Sequence, residues 1–189
     1  MASFTFRRSV LTQPETWKTN SEGLTISYDG IHESLCVYQN LKSVRLFYFP
    51  TRMKTNNYVC EMDFLNPPSK MKISSVSYVS FANFEDKAIE YNEFIKNLAL
   101  NVSQQNPNCK FYAGKPIWKF VLEHILVVLI IAAIIFSLSF IGAFSASAMV
   151  VIKLCVVAFS LFYIVKAFRA NWPREISATN IPSKVLPSS

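Results

Sequence analysis

The stretch Phe140–Met149, FIGAFSASAM, lies in the middle of the longest apolar block of the chain. It contains Gly142, Ser145 and Ser147, and it has no Leu or Val. Gly and Ser favour chain reversals and helix ends over helix interiors. The stretch therefore predicts a turn between two helices, in which Gly142 ends the first helix and Ser145 or Ser147 caps the second.

The length of the apolar block leads to the same prediction. As one helix with a rise of about 1.5 Å per residue, residues 117–168 would be roughly 78 Å long, more than twice a hydrocarbon layer of about 30 Å. Two helices over residues 117–141 and 147–168 each match one crossing of a membrane. The sequence therefore predicts a transmembrane α-hairpin.

Basic and aromatic residues at the ends of the block predict its orientation. Lys and Arg are enriched on the cytoplasmic side of membrane helices, and Trp marks the membrane surface. The turn has no basic residue, and Lys153 can extend back toward the surface on the turn side. Both chain termini are therefore expected in the cytoplasm, and the first residues lack the apolar core of a signal peptide. The predicted membrane-surface residues are Lys110, Lys115, Trp118, Lys119, Lys166, Arg169, Trp172 and Arg174.

Composition argues against several classes of function. The net charge of +7 has no basic stripe interleaved with aromatic residues, so no nucleic-acid partner is expected. The four cysteines are widely spaced and form no C-x-x-C pair, so no metal site or disulfide framework is indicated. We expect no cofactor, no catalytic residue and no enzymatic activity. Glu123 and His124 could mark a proton path inside the first span, although a position at the membrane boundary is the favoured interpretation.

Residues 15–105 change from strand to helix periodicity. Alternation in segments such as GLTISY (23–28) and YVCEMDF (58–64) predicts six or seven short antiparallel strands, the first around Trp17. Apolar residues three and four apart then predict a one-sided helix with Ala88, Tyr91, Ile95, Leu98 and Val102 on its buried face. Asn83 and Asp86 suggest a capping box at its start, and Asn106-Pro107 would end it. Residues 1–14 are interpreted as an N-terminal segment, 106–116 as a linker and 169–189 as a cytoplasmic tail.

Four segments carry a resemblance to a known group. These are NLKSVRLFYFPTRMKTNNYVCEM (40–62), EYNEFIKNLA (90–99), KFYAGKP (110–116) and NWPREISATNIPSKVLP (171–187). Together they resemble uncharacterised bacterial membrane proteins with a cytoplasmic pleckstrin-homology-like domain. The resemblance implies an α+β membrane protein of the bacterial inner membrane, with a small antiparallel β-barrel or sandwich, a C-terminal helix and then the transmembrane hairpin. It implies no specific activity, and residues 21–23 lack the basic cluster of inositol-phosphate-binding members.

One strand predicts a partner surface. In VRLFYF (44–49), one face carries Arg45, Phe47 and Phe49, with Arg52 and Lys54 following. Two aromatic side chains and an arginine directed away from the core would form a contact surface. The alternative is that the hairpin or the helix covers this strand.

Two functions remain open after these exclusions. The favoured one is a membrane-anchored binding or scaffold module that contacts a protein partner, or copies of itself, and touches anionic lipids without selecting one. The alternative is a small subunit of an oligomeric transporter or channel, assembled through the hairpin. Residues 1–114 are expected to fold alone.

Overall fold

The computed structural model describes residues 2–28, 32–49, 56–67, 69–81, 83–139 and 146–187. The chain forms two compact units. Residues 1–114 together with 174–189 form the first, which we call the β-domain, and residues 115–173 form the second, which we call the helical unit.

The β-domain begins with a four-stranded antiparallel meander. Its strands are β1 (Ser3–Phe6), β2 (Glu15–Thr19), β3 (Gly23–Tyr28) and β4 (His32–Val37), in that spatial order. Strands β2 to β4 agree with the sequence prediction. Strand β1 was missed because only four residues alternate, yet its Phe4 and Phe6 are almost fully buried.

A second sheet and a hairpin follow. Strands β5 (Leu41–Phe49), β6 (Asn57–Phe64) and β7 (Ser69–Ser74) pair antiparallel, and β8 (Val76–Ser80) pairs with β9 (Asn83–Asp86). The predicted capping box is wrong because Asn83 and Asp86 belong to a strand, and Lys87 is the N-cap residue. Asp86 still contacts the start of the helix, because its Oδ1 accepts a 3.0 Å hydrogen bond from the backbone N–H of Ala88.

Helix α1 (Ala88–Gln105) packs on the core of the β-domain, against β1 and β2, through the predicted stripe. Four of the five predicted residues are buried, and Ala88 is half-exposed at the helix start. Phe94 and Ala99 extend the stripe. The largest fully buried side chains of the domain are Trp17, Tyr38, Tyr91, Phe4 and Phe94. Burial of such side chains contributes about 1.5–3 kcal/mol each and holds the two sheets and the helix together.

Besides β1 in the predicted N-terminal segment, the predicted linker and the predicted tail each contribute a strand to the β-domain. The linker contains β10 (Lys110–Ala113), which pairs in parallel with β5, and the tail contains β11 (Arg174–Ile176), which pairs antiparallel with β10. The second sheet therefore has the order β11-β10-β5-β6-β7. Beyond β11, Val185 and Leu186 are 2% and 6% exposed and belong to the core. Residues 1–114 are thus an incomplete domain.

The helical unit consists of α2 (Ile117–Leu138) and α3 (Ala146–Asn171). Helix α2 is long and apolar enough to cross a membrane, with a mean hydropathy of 2.7, and α3 contains the shorter apolar segment Ser147–Phe162. The first predicted helix (117–141) agrees with α2 up to Leu138, and its residues 140–141 lie outside the described part of the chain. The second predicted helix (147–168) began one residue late and ended three residues early. Residues 140–145 of the predicted turn lie outside the described part of the chain.

Candidate functional site

Aromatic side chains join the start of α2 to the end of α3. The Phe120 ring lies 5.1 Å from Phe168 and 5.9 Å from Trp172, between ring centroids. The His124 ring lies 4.1 Å from Phe120, with the two planes tilted by 39°, and it meets Phe168 edge-on at 5.8 Å. At the opposite end of the unit, Lys153 Nζ donates a 2.8 Å hydrogen bond to Ser139 Oγ. The two helices therefore contact each other near both ends and run antiparallel.

An ion pair lies beside the aromatic cluster. Lys115 Nζ is 2.7 and 2.9 Å from the two carboxylate oxygens of Glu123. The Lys115 side chain is only 11% exposed, whereas that of Glu123 is 49% exposed. Lys119 lies over the Trp118 ring, with Nζ 5.3 Å from its centroid. Charged and aromatic groups thus gather at the same end of the helical unit.

A groove between α2 and α3 starts at this end. It has a volume of about 360 Å³ and is lined by Glu123, His124, Val127, Ile131, Phe159, Ser160 and Ile164. Most of its wall is apolar, and the three polar side chains include the adjacent Glu123 and His124. His124 Nδ1 is 2.7 Å from the Phe120 carbonyl oxygen. Because a carbonyl only accepts, Nδ1 must carry the proton of this hydrogen bond.

In the β-domain, Arg45 lies on the outer face of the five-stranded sheet. Its neighbours across the strands are Tyr112 on β10 and Glu61 on β6. The guanidinium carbon is 4.6 Å from the centroid of the Tyr112 ring, and Nη1 donates a 3.3 Å hydrogen bond to the Gly114 carbonyl. Burial lowers the pKa of Arg45, while the charge of Glu61 opposes that shift. Arg45 therefore fixes the chain where it leaves the β-domain toward α2.

Of the other residues predicted for the partner surface, two lie on β5 and two lie outside the described residues. Phe47 and Phe49 share the outer face of β5 with Arg45, and Phe49 is 47% exposed. Arg52 and Lys54 lie outside the described residues. The arginine is held by contacts within the domain, whereas Phe49 keeps half of its surface accessible.

The predicted membrane-surface residues occupy both units. Lys110 and Arg174 are exposed residues of β10 and β11, in the β-domain. Lys115, Trp118, Lys119, Arg169 and Trp172 lie in the helical unit, where Trp118 and Trp172 are 64% and 51% exposed. Lys166 belongs to α3, and its side chain is outside the described part of the structure.

Three ionisable side chains of the β-domain, Cys60, Cys109 and Glu15, are buried. Burial raises the pKa of the Cys60 thiol, and it raises that of Cys109 to about 12. The buried Glu15 carboxylate accepts hydrogen bonds from Arg8 and from Trp17, at 2.9 and 3.0 Å. Within the described ranges, no three His, Cys, Asp or Glu side chains are grouped so that they could hold a metal ion.

Sequence reasoning missed the Lys115–Glu123 pair and the role of the tail. The eight-residue separation of the pair crosses a helix start, so helical spacing rules do not reveal it. The tail did carry a signal, because Ile176, Ala178, Ile181, Val185 and Leu186 are apolar and pack on or in the core. Such a short segment gives no periodicity that separates a docked strand from a loose tail.

Comparison of the chain with protein-family models, curated proteins and solved structures finds no match.

Proposed function

We propose that this protein is a membrane-anchored binding module. In this proposal α2 and α3 cross the bacterial inner membrane as a hairpin, and the β-domain is a pleckstrin-homology-like domain at the cytoplasmic face. Four antiparallel strands, then three more, are followed by the β8-β9 hairpin and helix α1, and this four-then-three order with a later helix supports the pleckstrin-homology-like assignment.

The pairing of β10 with β11 is the observation that carries the proposal. Strand β10 ends at Ala113, just before α2, and β11 starts at Arg174, just after α3. If α2 crosses a membrane, α3 must return the chain to the same side, because β11 pairs with β10. Helix α2, with 22 residues, is about 33 Å long at 1.5 Å per residue, which matches the hydrocarbon layer.

The exposed apolar surface of the helices also supports a membrane location. Leu122, Leu129 and Phe136 on α2 are 59%, 60% and 67% exposed, and Phe159 and Phe162 on α3 are 66% and 67% exposed. In water such a surface would favour aggregation, whereas in lipid it has a matching environment.

A binding role for the β-domain is tested by photo-cross-linking in native membranes. A photoreactive amino acid at Phe49 should yield one main cross-linked protein species, and the same group at Tyr28 serves as a control on the other sheet. Tyr28 is 42% exposed, close to the 47% of Phe49. Equal and diffuse cross-linking from both positions would contradict a partner surface on β5.

A further inference from the structure

We propose that the groove between α2 and α3 binds one phospholipid whose head group carries a primary ammonium. The acyl chain lies along Val127, Ile131, Phe159 and Ile164, and the ammonium lies at Glu123 and His124. This inference rests on the proposed membrane location of the helices.

The hydrogen bond of His124 determines what its ring offers to a ligand. Nδ1 donates to the Phe120 carbonyl at 2.7 Å, so the neutral ring keeps an acceptor lone pair at Nε2. The described residues provide no hydrogen-bond partner for Nε2, and the ring lines the groove. The imidazole therefore suits a ligand that donates a hydrogen bond.

Glu123 adds a second acceptor and a negative charge beside this ring. Its carboxylate binds Lys115 through both oxygens, but an ionised carboxylate has about four acceptor positions. Half of the side chain remains exposed, on the groove lining. An ammonium group can thus reach Glu123 and His124 together.

One cation near the groove can pair with the phosphate of the same lipid. Lys115 precedes α2 and is already paired with Glu123, whereas Lys119 lies in the first turn of α2, about one turn before Glu123. Acceptors at Glu123 and His124 beside a donor at Lys119 complement a zwitterionic head with both an ammonium and a phosphate. A glycerol head offers no cation to Glu123, and a quaternary ammonium cannot donate a hydrogen bond.

The depth of these residues is also suitable. Glu123 is six residues after the start of α2 at Ile117, or about 9 Å along the helix. The exposed Trp118 marks the expected membrane surface at the same end. The groove continues from Glu123 toward Ile131 with a mostly apolar wall, as an acyl chain requires.

The test is lipid titration of the full-length protein in detergent, followed by native mass spectrometry. Three lipids with identical acyl chains are compared: phosphatidylethanolamine, phosphatidylcholine and phosphatidylglycerol. We expect one phosphatidylethanolamine per chain, bound at least about tenfold more tightly than the other two, because a hydrogen bond to a charged group is lost with either of them.

Substitutions locate the site. Glu123→Gln and His124→Leu should each lower the affinity for phosphatidylethanolamine to that for phosphatidylcholine. Glu93→Gln is the matched control, since Glu93 is an exposed acid on α1 of the β-domain, and it should change nothing. Retained selectivity in Glu123→Gln, or equal affinity for all three lipids, would overturn the proposal. A lipid-free dimer would also overturn it and would assign the groove to a second copy.

Failure of this inference can be separated from failure of the membrane assignment. Alkaline carbonate washing of native membranes releases peripheral proteins and retains spanning ones. Retention without lipid selectivity would overturn the lipid site alone. Release into the wash would contradict the membrane-spanning function as well.

Discussion

Arg45 illustrates how far single residues can be interpreted from sequence. Alternation on β5 correctly placed it on the outer face, where a partner contact was expected. The stacking on Tyr112 and the hydrogen bond to Gly114 depend on the parallel pairing of β5 with β10. Residues so distant in sequence leave no local pattern for that pairing. Arg45 therefore has a structural role within the β-domain, although the sequence pattern predicts a contact surface for a partner.

Replacing Arg45 by Ala should destabilise the β-domain by about 2 kcal/mol, since a charge-assisted hydrogen bond and a cation–π contact are lost. Trp17 is fully buried in the domain core, so its fluorescence can follow denaturant unfolding in a Trp118→Phe, Trp172→Phe background. Lys110→Ala is the control, because Lys110 is an exposed cation on β10, and we expect a change within about 0.5 kcal/mol. Equal effects of the two substitutions would contradict the role of Arg45.

We expect the stability of the β-domain to depend on pH through the Cys109 thiol. Burial raises its pKa from 9.0 to about 12 in the folded protein. Above pH 9 the unfolded chain loses this proton first, so the stability from the buried neutral thiol is lost as the pH rises toward 12. Cys109→Ala should therefore lose less stability across this window than the parent protein, as measured by Trp17 fluorescence. The control Cys155→Ala, at an exposed position on α3, should keep the slope of the parent.

The C-terminal tail is part of the β-domain. Strand β11 extends the sheet, Val185 and Leu186 enter the core, and Asn92 Nδ2 on α1 donates a hydrogen bond to the Pro187 carbonyl at 3.4 Å. In sequence, these tail residues come after the helical unit, so their contacts require the chain to return from that unit to the β-domain. The helical unit is therefore an insertion within the β-domain.

Leu186→Ala should destabilise the β-domain by about 2–3 kcal/mol, because a buried leucine is replaced and a cavity remains. Lys184→Ala, at an exposed position two residues away, is the matched control and should have little effect. Denaturant unfolding of both full-length variants measures the difference. If the two variants unfold alike, the tail does not contribute to the core.

A fragment comparison tests the same element more broadly. Residues 1–114 alone should unfold at a lower denaturant concentration than residues 1–114 joined to 172–189 by a flexible linker. The joined form regains β11 and the two core residues of the tail. Circular dichroism of both fragments during denaturation provides the measurement, and identical transitions would contradict the completed-domain account.

Across the chain, the sequence predicted the features that depend on local periodicity. The strands from β2 to β8, the stripe of α1 and the two apolar helices all have strong period-two, period-3.6 or hydropathy signals. The order of the five-stranded sheet could not be predicted, because β10 and β11 are short and lie on opposite sides of the helical segment. The candidate groove also depends on tertiary structure, since its lining residues come from both helices.

In the proposed topology, the chain crosses the membrane twice and returns to the β-domain. Cysteine labelling of spheroplasts tests this topology, in a background where Cys36, Cys60, Cys109 and Cys155 are replaced by Ala. A cysteine at Ser147, near the start of α3, should react with a membrane-impermeant thiol reagent added outside spheroplasts. A cysteine at the exposed Ser177, just after β11, should react only after lysis. Reaction of both positions before lysis, of neither, or of Ser177 alone would contradict the account.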